Sequence, residues 1–374
     1  MTIAIVGGGQ TGAAAALVAA RAGRDVQHFS PPTAPDRRTS ALMLPSLDFL
    51  REAGVLEDPA ELGTPLRKIR IIDATSRLVR SGESLFEAAE FGFDAFGYNI
   101  ANTTLLARLA ERAAGFPNLR TIAAPVAKFA RTDSGFALEA GGEAFSASLI
   151  VGADGRQSAV RTFVGIEVRI HRYEQAALVA DLTLERPLDE CSVEFHYENG
   201  PFTLVPAGGN RANLVWIDRR ELLDAARDPA SLKTAILTRS ARLFGDVAVT
   251  AGPHVFDLVS LAARAVAAPG IVLVGEAAHA FPPIGAQGLN IGLRDVAALA
   301  ALFASHQDSR ALSTSYAEAR RADISRTSLM VDTLFRSLIA DFLPADIGRS
   351  AGLLALRTLR PLRRAAFETG MGRR

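Results

Sequence analysis

Runs of apolar residues, alanine-rich stretches and alternating segments follow one another along the chain in an order that predicts its elements. Thr2 to Val6 is a short β-branched strand, Ala13 to Ala22 a strong helix former ended by Gly23, and Val26 to Phe29 the next strand. Pro45 to Ala53, closed by Gly54, reads as an amphipathic helix. So does Thr103 to Ala114, where Leu105, Leu106, Leu109 and Ala113 have helical spacing. Short strands are expected around Leu66 to Asp73 and Arg77 to Arg80. Leu119 to Ala124, Val126 to Arg131, Phe136 to Ala140 and Ala144 to Ser148 read as a β-meander, with turns at Asp133-Ser134-Gly135 and Gly141-Gly142. Between Arg169 and Val259 the pattern changes. Val193 to Tyr197, Phe202 to Pro206 and Leu214 to Trp216 alternate or run apolar, which predicts a half-buried antiparallel sheet. A helix over Ala230 to Phe244, a strand over His254 to Leu258 and a buried strand over Ile271 to Val274 follow. Helices over Val296 to Ala304 and Ser313 to Leu338 come next, the second containing Tyr316, Arg320 and Arg321. The tail, Gly352 to Arg374, alternates leucine with arginine. A basic amphipathic helix there suits a membrane surface, packing on its own protein, or assembly.

Composition narrows the function classes. The 374 residues are 49% hydrophobic, enough for a sizeable core, and the net charge of +1 gives no argument for a nucleic-acid partner. Cys191 is the only cysteine, so no internal disulfide forms and a reducing compartment is compatible. Met1 runs straight into a strand, so no secretory signal is expected. The apolar part of Val296 to Ala304 is too short to span a bilayer. The six histidines show no ligand spacing, so no metal is expected, and no Ser-His-Asp or Cys-His set stands out.

Three separated stretches carry the chemistry. Gly7, Gly9 and Gly12, with Gln10 and Thr11 among them, have the spacing of a dinucleotide-binding turn between strand and helix, where a pyrophosphate meets bare backbone. The acid that usually holds the adenosine ribose at the end of the second strand is replaced by Ser30. Leu149 to Arg161 contains Asp154-Gly155 where an apolar strand meets a loop, a place for a carboxylate held by backbone amides. Gly275 to Asp295 runs from a buried strand through two prolines and several glycines into a helix. It brings backbone close to something flat or charged and aims a helix N-terminus at it.

The form Pro282-Pro283-Ile284-Gly285-Ala286-Gln287-Gly288-Leu289-Asn290-Ile291-Gly292-Leu293-Arg294-Asp295 resembles the second flavin motif of the flavoprotein aromatic hydroxylases typified by p-hydroxybenzoate hydroxylase. It is closest to the ubiquinone-biosynthesis hydroxylases within that group. The Asp154 motif and Asp36-x-Arg38-x-x-Ala41-Leu42 are similar to the same group. The resemblance implies an α/β fold: a Rossmann-like FAD-binding domain, an interleaved antiparallel-sheet substrate domain and C-terminal helices. The expected division is 1–70, 97–165 and 262–310 for FAD, 71–96 and 166–261 for substrate, and 311–374 for the helical region.

It also implies the site. Glu276, where the family usually has Asp, meets the ribityl or ribose part of FAD. Gly285, Ala286, Gln287, Gly288, Leu289 and Asn290 meet the isoalloxazine, where helix amides favour the negative charge of the reduced ring. Arg38 and Asn102 are further candidate contacts, with an exposed loop arginine and a helix N-cap as the plainer readings. Pro283, Gly288, Leu289 and Asn290 border the reacting face. Phe195, Tyr197, Phe202, Leu204 and Trp216 are candidates for an apolar substrate pocket, although most such residues are ordinary core.

The implied reaction is hydroxylation of a phenolic ring by O2 through a C4a-hydroperoxyflavin, with NAD(P)H as a transient co-substrate. The expected substrate is a polyprenylated phenol of ubiquinone synthesis. The expected place is the cytoplasm, peripheral to the inner membrane, near other ubiquinone-biosynthesis proteins. Two alternatives stay open: a hydroxylase of a small soluble aromatic, and a weakly flavinated scaffold, which rests on Ser30 and Glu276. A halogenase is disfavoured, because Trp216 is the only tryptophan and the Trp-x-Trp-x-x-Ile-Pro signature is absent.

Overall fold

The structure, a computed structural model, describes residues 1–339 except 78, 79 and 81, together with 352, 355, 358 and 361–365. The strand expected over Arg77 to Arg80 falls partly, and the basic tail mostly, outside the described residues.

The α-helices in chain order are α1 (Gln10–Arg21), α2 (Leu44–Glu52), α3 (Asn102–Ala113), α4 (Ala159–Phe163), α5 (Arg220–Ala225), α6 (Pro229–Arg239), α7 (Gln287–Ser305) and α8 (Ser309–Ile339). α1 forms because Ala13 to Ala16, Ala19 and Ala20 lie flat on the sheet at no side-chain entropy cost. It stops where Gly23, at φ +71°, donates to Ala20 and Arg24 donates to Ala19, a left-handed cap.

Two sheets organise the chain. A six-stranded sheet runs Ala267–Ala268, Ile271–Leu273, Leu149–Gly152, Thr2–Val6, Asp25–Phe29 and Leu119–Ile122, parallel except for its first pair. Three of its four inner strands, Ile271–Leu273, Leu149–Gly152 and Thr2–Val6, are short and largely apolar, as strands covered on both faces must be. One face packs on α1, α3 and α7. The other packs on a small sheet of Val126–Thr132, Gly135–Ala140 and Glu143–Ala147. Leu119–Ile122 therefore belongs to the parallel sheet and not to the meander expected from its sequence neighbours.

The second sheet has eight strands, in the order His279–Ala280, Val247–Ala263, Val168–Leu184, Arg211–Arg219, Gly200–Pro206, Cys191–Tyr197, Lys68–Asp73 and Glu83–Glu87. Its back face is sealed by α5 and α6. A three-stranded sheet of Thr39–Met43, Gly97–Ala101 and Gly63–Leu66 joins the two halves. The large sheet ends on His279–Ala280, inside the flavin-like motif, so that motif is stitched to both sheets.

α7 begins at Gln287, within the motif, and not at Val296. Among the described residues it is the helix long and apolar enough to cross a membrane by length and composition, and here it packs on α1, α2 and α8.

Candidate active site

The first strand delivers the chain into a turn that only glycine can make. Gly7 sits at φ +130°, and a Cβ there would lie 2.1 Å from the Ala153 carbonyl oxygen. A Cβ on Gly12 would lie 2.0 Å from the Gly7 carbonyl oxygen, so α1 can approach the strand only without one. Gly9 differs: a Cβ there meets nothing within 4 Å, and Gly9 caps α1 with no side chain. The first amides of α1, from Gln10, Thr11 and Gly12, are therefore left for a ligand. Ser30 borders this turn, its Oγ lying 2.3 Å from where a Gly8 Cβ would be.

Gln10, Arg38 and Asn102 are brought together at the mouth of this turn. Arg38 Nε and Nη2 each donate to Asp36 at 2.8 Å, and Asn102 Nδ2 donates to the same carboxylate at 2.8 Å. Ser40 donates to Asn102 Oδ1 at 2.7 Å, and Gln10 donates to the Asn102 carbonyl at 3.3 Å. Burial pushes Asp36 up, but the bonds from Arg38 and Asn102 outweigh it and hold the carboxyl below its usual range. Asn102 is not an N-cap: Ala101 occupies that position and the Asn102 side chain is spent on this cluster.

The central motif closes the cradle from the next strand. Asp154 Oδ2 accepts from the amides of Ala159 at 2.7 Å and Val160 at 3.1 Å, while its Oδ1 is buried without a partner. Arg161 braces the loop by donating to the carbonyls of Ala277 at 2.7 Å and Arg156 at 2.6 Å. Glu276 pairs with Arg156 at 3.1 Å, with both side chains more than a third exposed. That pair contributes little to stability and leaves Glu276 accessible.

α7 supplies the opposite wall. Ala286, at φ +54°, caps it with no side-chain bond, and a Cβ on Gly288 meets nothing within 4 Å. A second uncapped helix start thus faces open space. It is fixed by Asn290, which is 2% exposed. Asn290 Oδ1 accepts from the Met43 amide at 2.9 Å and Ser46 Oγ at 2.7 Å. Its Nδ2 donates to the carbonyls of Ala41 at 2.8 Å and Ala286 at 2.6 Å. The Asn290 side chain is fully used in aiming the helix, so what it can offer a flavin is backbone. Gln287 is likewise buried, donating to the Gly285 carbonyl at 2.9 Å.

Beneath the motif lies a buried hub, centred on Asp295, that joins His279 to Arg320. Asp295 Oδ2 meets His279 Nε2 at 2.7 Å and accepts from the Gly275 amide at 2.9 Å, and its Oδ1 accepts from Arg320 Nε at 2.7 Å. Burial would raise the Asp295 carboxyl, yet His279 and Arg320 hold it low. Tyr316 donates to the Leu273 carbonyl at 2.8 Å. The Tyr316–Arg320 pair of α8 therefore clamps both ends of the motif, and His279 braces it.

The substrate assignments need correction. The register pairs Phe195 with Phe202 and Phe202 with Trp216, and Leu204 lies on the same side. All four are at most 3% exposed, in the core sealed by α5 and α6. Tyr197 shares that face and donates to the Arg239 carbonyl at 2.8 Å. A strand alternates sides, so the face toward the flavin-like motif carries the neighbours of these residues. There Ile217 packs with Ile284 of the motif, and Asn213 bonds Thr39 at 2.9 Å and Asn99 at 2.8 Å.

FAD fits this arrangement on observations of the protein itself: two uncapped helix starts facing open space, a buried unpartnered carboxylate oxygen on Asp154, and an accessible Glu276.

Comparison with known proteins agrees. A family model described as an FAD binding domain matches residues 1–329. The ubiquinone hydroxylase UbiL of Rhodospirillum rubrum is 32% identical over 90% of this chain and 80% of its own length. The 3-demethoxyubiquinol 3-hydroxylase of Escherichia coli is 30% identical over 99% of this chain and 98% of its own. The structure of p-nitrophenol 4-monooxygenase PnpA from Pseudomonas putida superposes with a TM-score of 0.84 over 100% of this chain and 99% of that one. At 18% identity that likeness concerns the fold. With a family match over most of its length and relatives of this kind, the chain belongs to the FAD-binding-domain family, among its flavin-dependent monooxygenases.

Proposed function

We propose that the protein hydroxylates an electron-rich phenol or quinol ring in ubiquinone biosynthesis, using NAD(P)H and O2. The carrying observation is the single cradle formed by the uncapped starts of α1 and α7, roofed by one face of the eight-stranded sheet. The names of the two relatives described above support the substrate class.

In this reading residues 1–70, 97–165 and 262–310 hold FAD, 71–96 and 166–261 cover the substrate, and 311–374 form the C-terminal helical region, of which Tyr316 and Arg320 brace the motif. Gly7, Gly9, Gln10, Thr11, Gly12 and Ser30 receive the pyrophosphate and adenosine side. Arg38, Asn102, Asp154 and Glu276 edge the chain between the two ends. The backbone of Gly285 to Asn290 meets the ring, with Pro283 beside it. Bound FAD would supply oxygen activation once reduced by NAD(P)H. The chain binds and orients the ring, stabilises negative charge with the amides of α7, and excludes water by covering the site with the flavin-facing side of the eight-stranded sheet. An apolar substrate would bring the protein to the cytoplasmic face of the inner membrane.

The test is O2 uptake by flavin-loaded protein with NAD(P)H and a short-chain demethoxyubiquinol. A product one oxygen heavier is expected. NAD(P)H oxidation yielding only hydrogen peroxide with every quinol and phenol would overturn the reading.

A further inference from the structure

The roof carries a polar pair that the flavin cradle does not use. On strand Cys191–Tyr197, alternation turns Glu194 and His196 to the face opposite Phe195 and Tyr197. The cross-strand row through Glu194 is Val179, Val215, Thr203, Glu194 and Ile71. This row lies between the Ile217 row, which touches Ile284 of the flavin motif, and the Asn213 row, which is bonded to Thr39. None of its five residues is fully buried, unlike the sealed face behind. At its far end Ile71 packs in one cluster with Met43, whose amide is held by Asn290. The row thus runs beside the Ile217 contact with the flavin motif and ends in the cluster that includes Met43.

His196 Nε2 lies 2.5 Å from Glu194 Oε1, with side chains 11% and 29% exposed. An ionised carboxylate only accepts, so Nε2 carries the hydrogen, and in the neutral imidazole Nδ1 keeps its lone pair. That Nδ1 is buried and has no hydrogen-bond partner. An unpaired buried ring nitrogen costs on the order of 1–3 kcal/mol, which a hydrogen bond from a substrate hydroxyl would relieve.

We propose that His196 is the base that takes the proton of the substrate hydroxyl and that Glu194 positions it. The proposal rests on the hydroxylase reading for its substrate class. In the step, the O–H bond of the ring hydroxyl breaks, an N–H bond forms at His196 Nδ1, and the electron pair stays on the ring oxygen. The ring becomes a phenolate, more reactive toward an electrophilic oxygen. Glu194 stabilises the imidazolium, and the proton returns when product leaves. Among the described residues, the charged groups beside His196 on the adjoining strand and loops are Asp73, across the parallel strand pairing and bonded to Thr75, and Glu198, bonded to Ser76 and acted on by Arg77. Pro201 on the other neighbouring strand brings no charge.

The test uses flavin-loaded, full-length protein with 4-nitrophenol as a chromogenic probe, below the pH at which the free phenol ionises. Difference absorbance should show bound phenolate in the wild type. His196→Gln should bind the neutral phenol. Glu194→Gln should raise the pH at which the bound phenol ionises by about one unit or more. Persistence of the phenolate band in His196→Gln at unchanged flavin content overturns the proposal, as does a wild type that gives no phenolate signal. With a short-chain demethoxyubiquinol, His196→Gln should lower kcat/KM by roughly 100-fold and change its pH profile. A wild type that forms phenolate yet hydroxylates no quinol leaves the base standing and removes the substrate reading alone.

Discussion

Asn290→Ala is the sharpest perturbation of the flavin cradle. The side chain makes four hydrogen bonds of 2.6 to 2.9 Å to Met43, Ser46, Ala41 and Ala286. It joins the first turn of α7 to the junction of strand Thr39–Met43 with α2. At about 1 kcal/mol net per bond the loss is about 4 kcal/mol. A water entering the vacated space and rotation of the Ser46 hydroxyl recover part of it, so about 3 kcal/mol is expected. That is a large share of the roughly 5–15 kcal/mol that keeps a domain folded. Urea unfolding should show a lower midpoint with little change in slope. FAD titration by fluorescence quenching should show affinity weakened by about tenfold or more, because the α7 amides are no longer held in place. Asn290→Asp should be no milder. It keeps the acceptors for Met43 and Ser46 but sets carboxylate oxygens against the carbonyls of Ala41 and Ala286. An Asn290→Ala protein with wild-type midpoint and wild-type FAD affinity would refute the reasoning.

Further outcomes follow from the same geometry. Asp36 has a depressed carboxyl in the folded protein, so the unfolded chain takes up its proton first. Its contribution is present above the ordinary carboxylate value of about 3.9 and is lost as pH falls through the lower folded value. Asp36→Asn should therefore lose less stability than wild type on acidification, as read by thermal melting across that range. Phe202→Ala, at a fully buried site, should cost about 3–5 kcal/mol in unfolding experiments. Phe202→Leu should leave KM unchanged, whereas a direct substrate contact would raise it. Burial pushes the Cys191 thiol up to about 11. It should react slowly with a thiol reagent at neutral pH and quickly in denaturant.

Local order was legible wherever one stretch carries its own reason. The glycines at 7 and 12 and the alanines of α1 specify a strand–turn–helix unit without help from elsewhere, and the structure builds it from Thr2 to Arg21. The strands Val168–Leu184 and Val247–Ala263 were harder to read, since register shifts around Val179 and Asp181 interrupt their alternation. Leu119–Ile122 looked like part of a meander because its pairing with Asp25–Phe29 is set by the fold, not by its neighbours. The substrate face was misread by one residue. Alternation on Cys191–Tyr197 defines two faces but not which one a helix covers, and large aromatic side chains mark the covered one. Asp36, Asp295 and Asn290 also bond partners brought from distant positions, and the local motifs that contain them do not disclose those bonds. The Asp two residues before Arg38 was the available signal for the first.

The most direct test of hydroxylation is a turnover under 18O2 with flavin-loaded protein, NAD(P)H and a short-chain demethoxyubiquinol, followed by mass spectrometry of the product. One 18O atom bound to the ring is predicted. Product oxygen drawn from water, or no oxygenated product while NAD(P)H is consumed, would contradict the account.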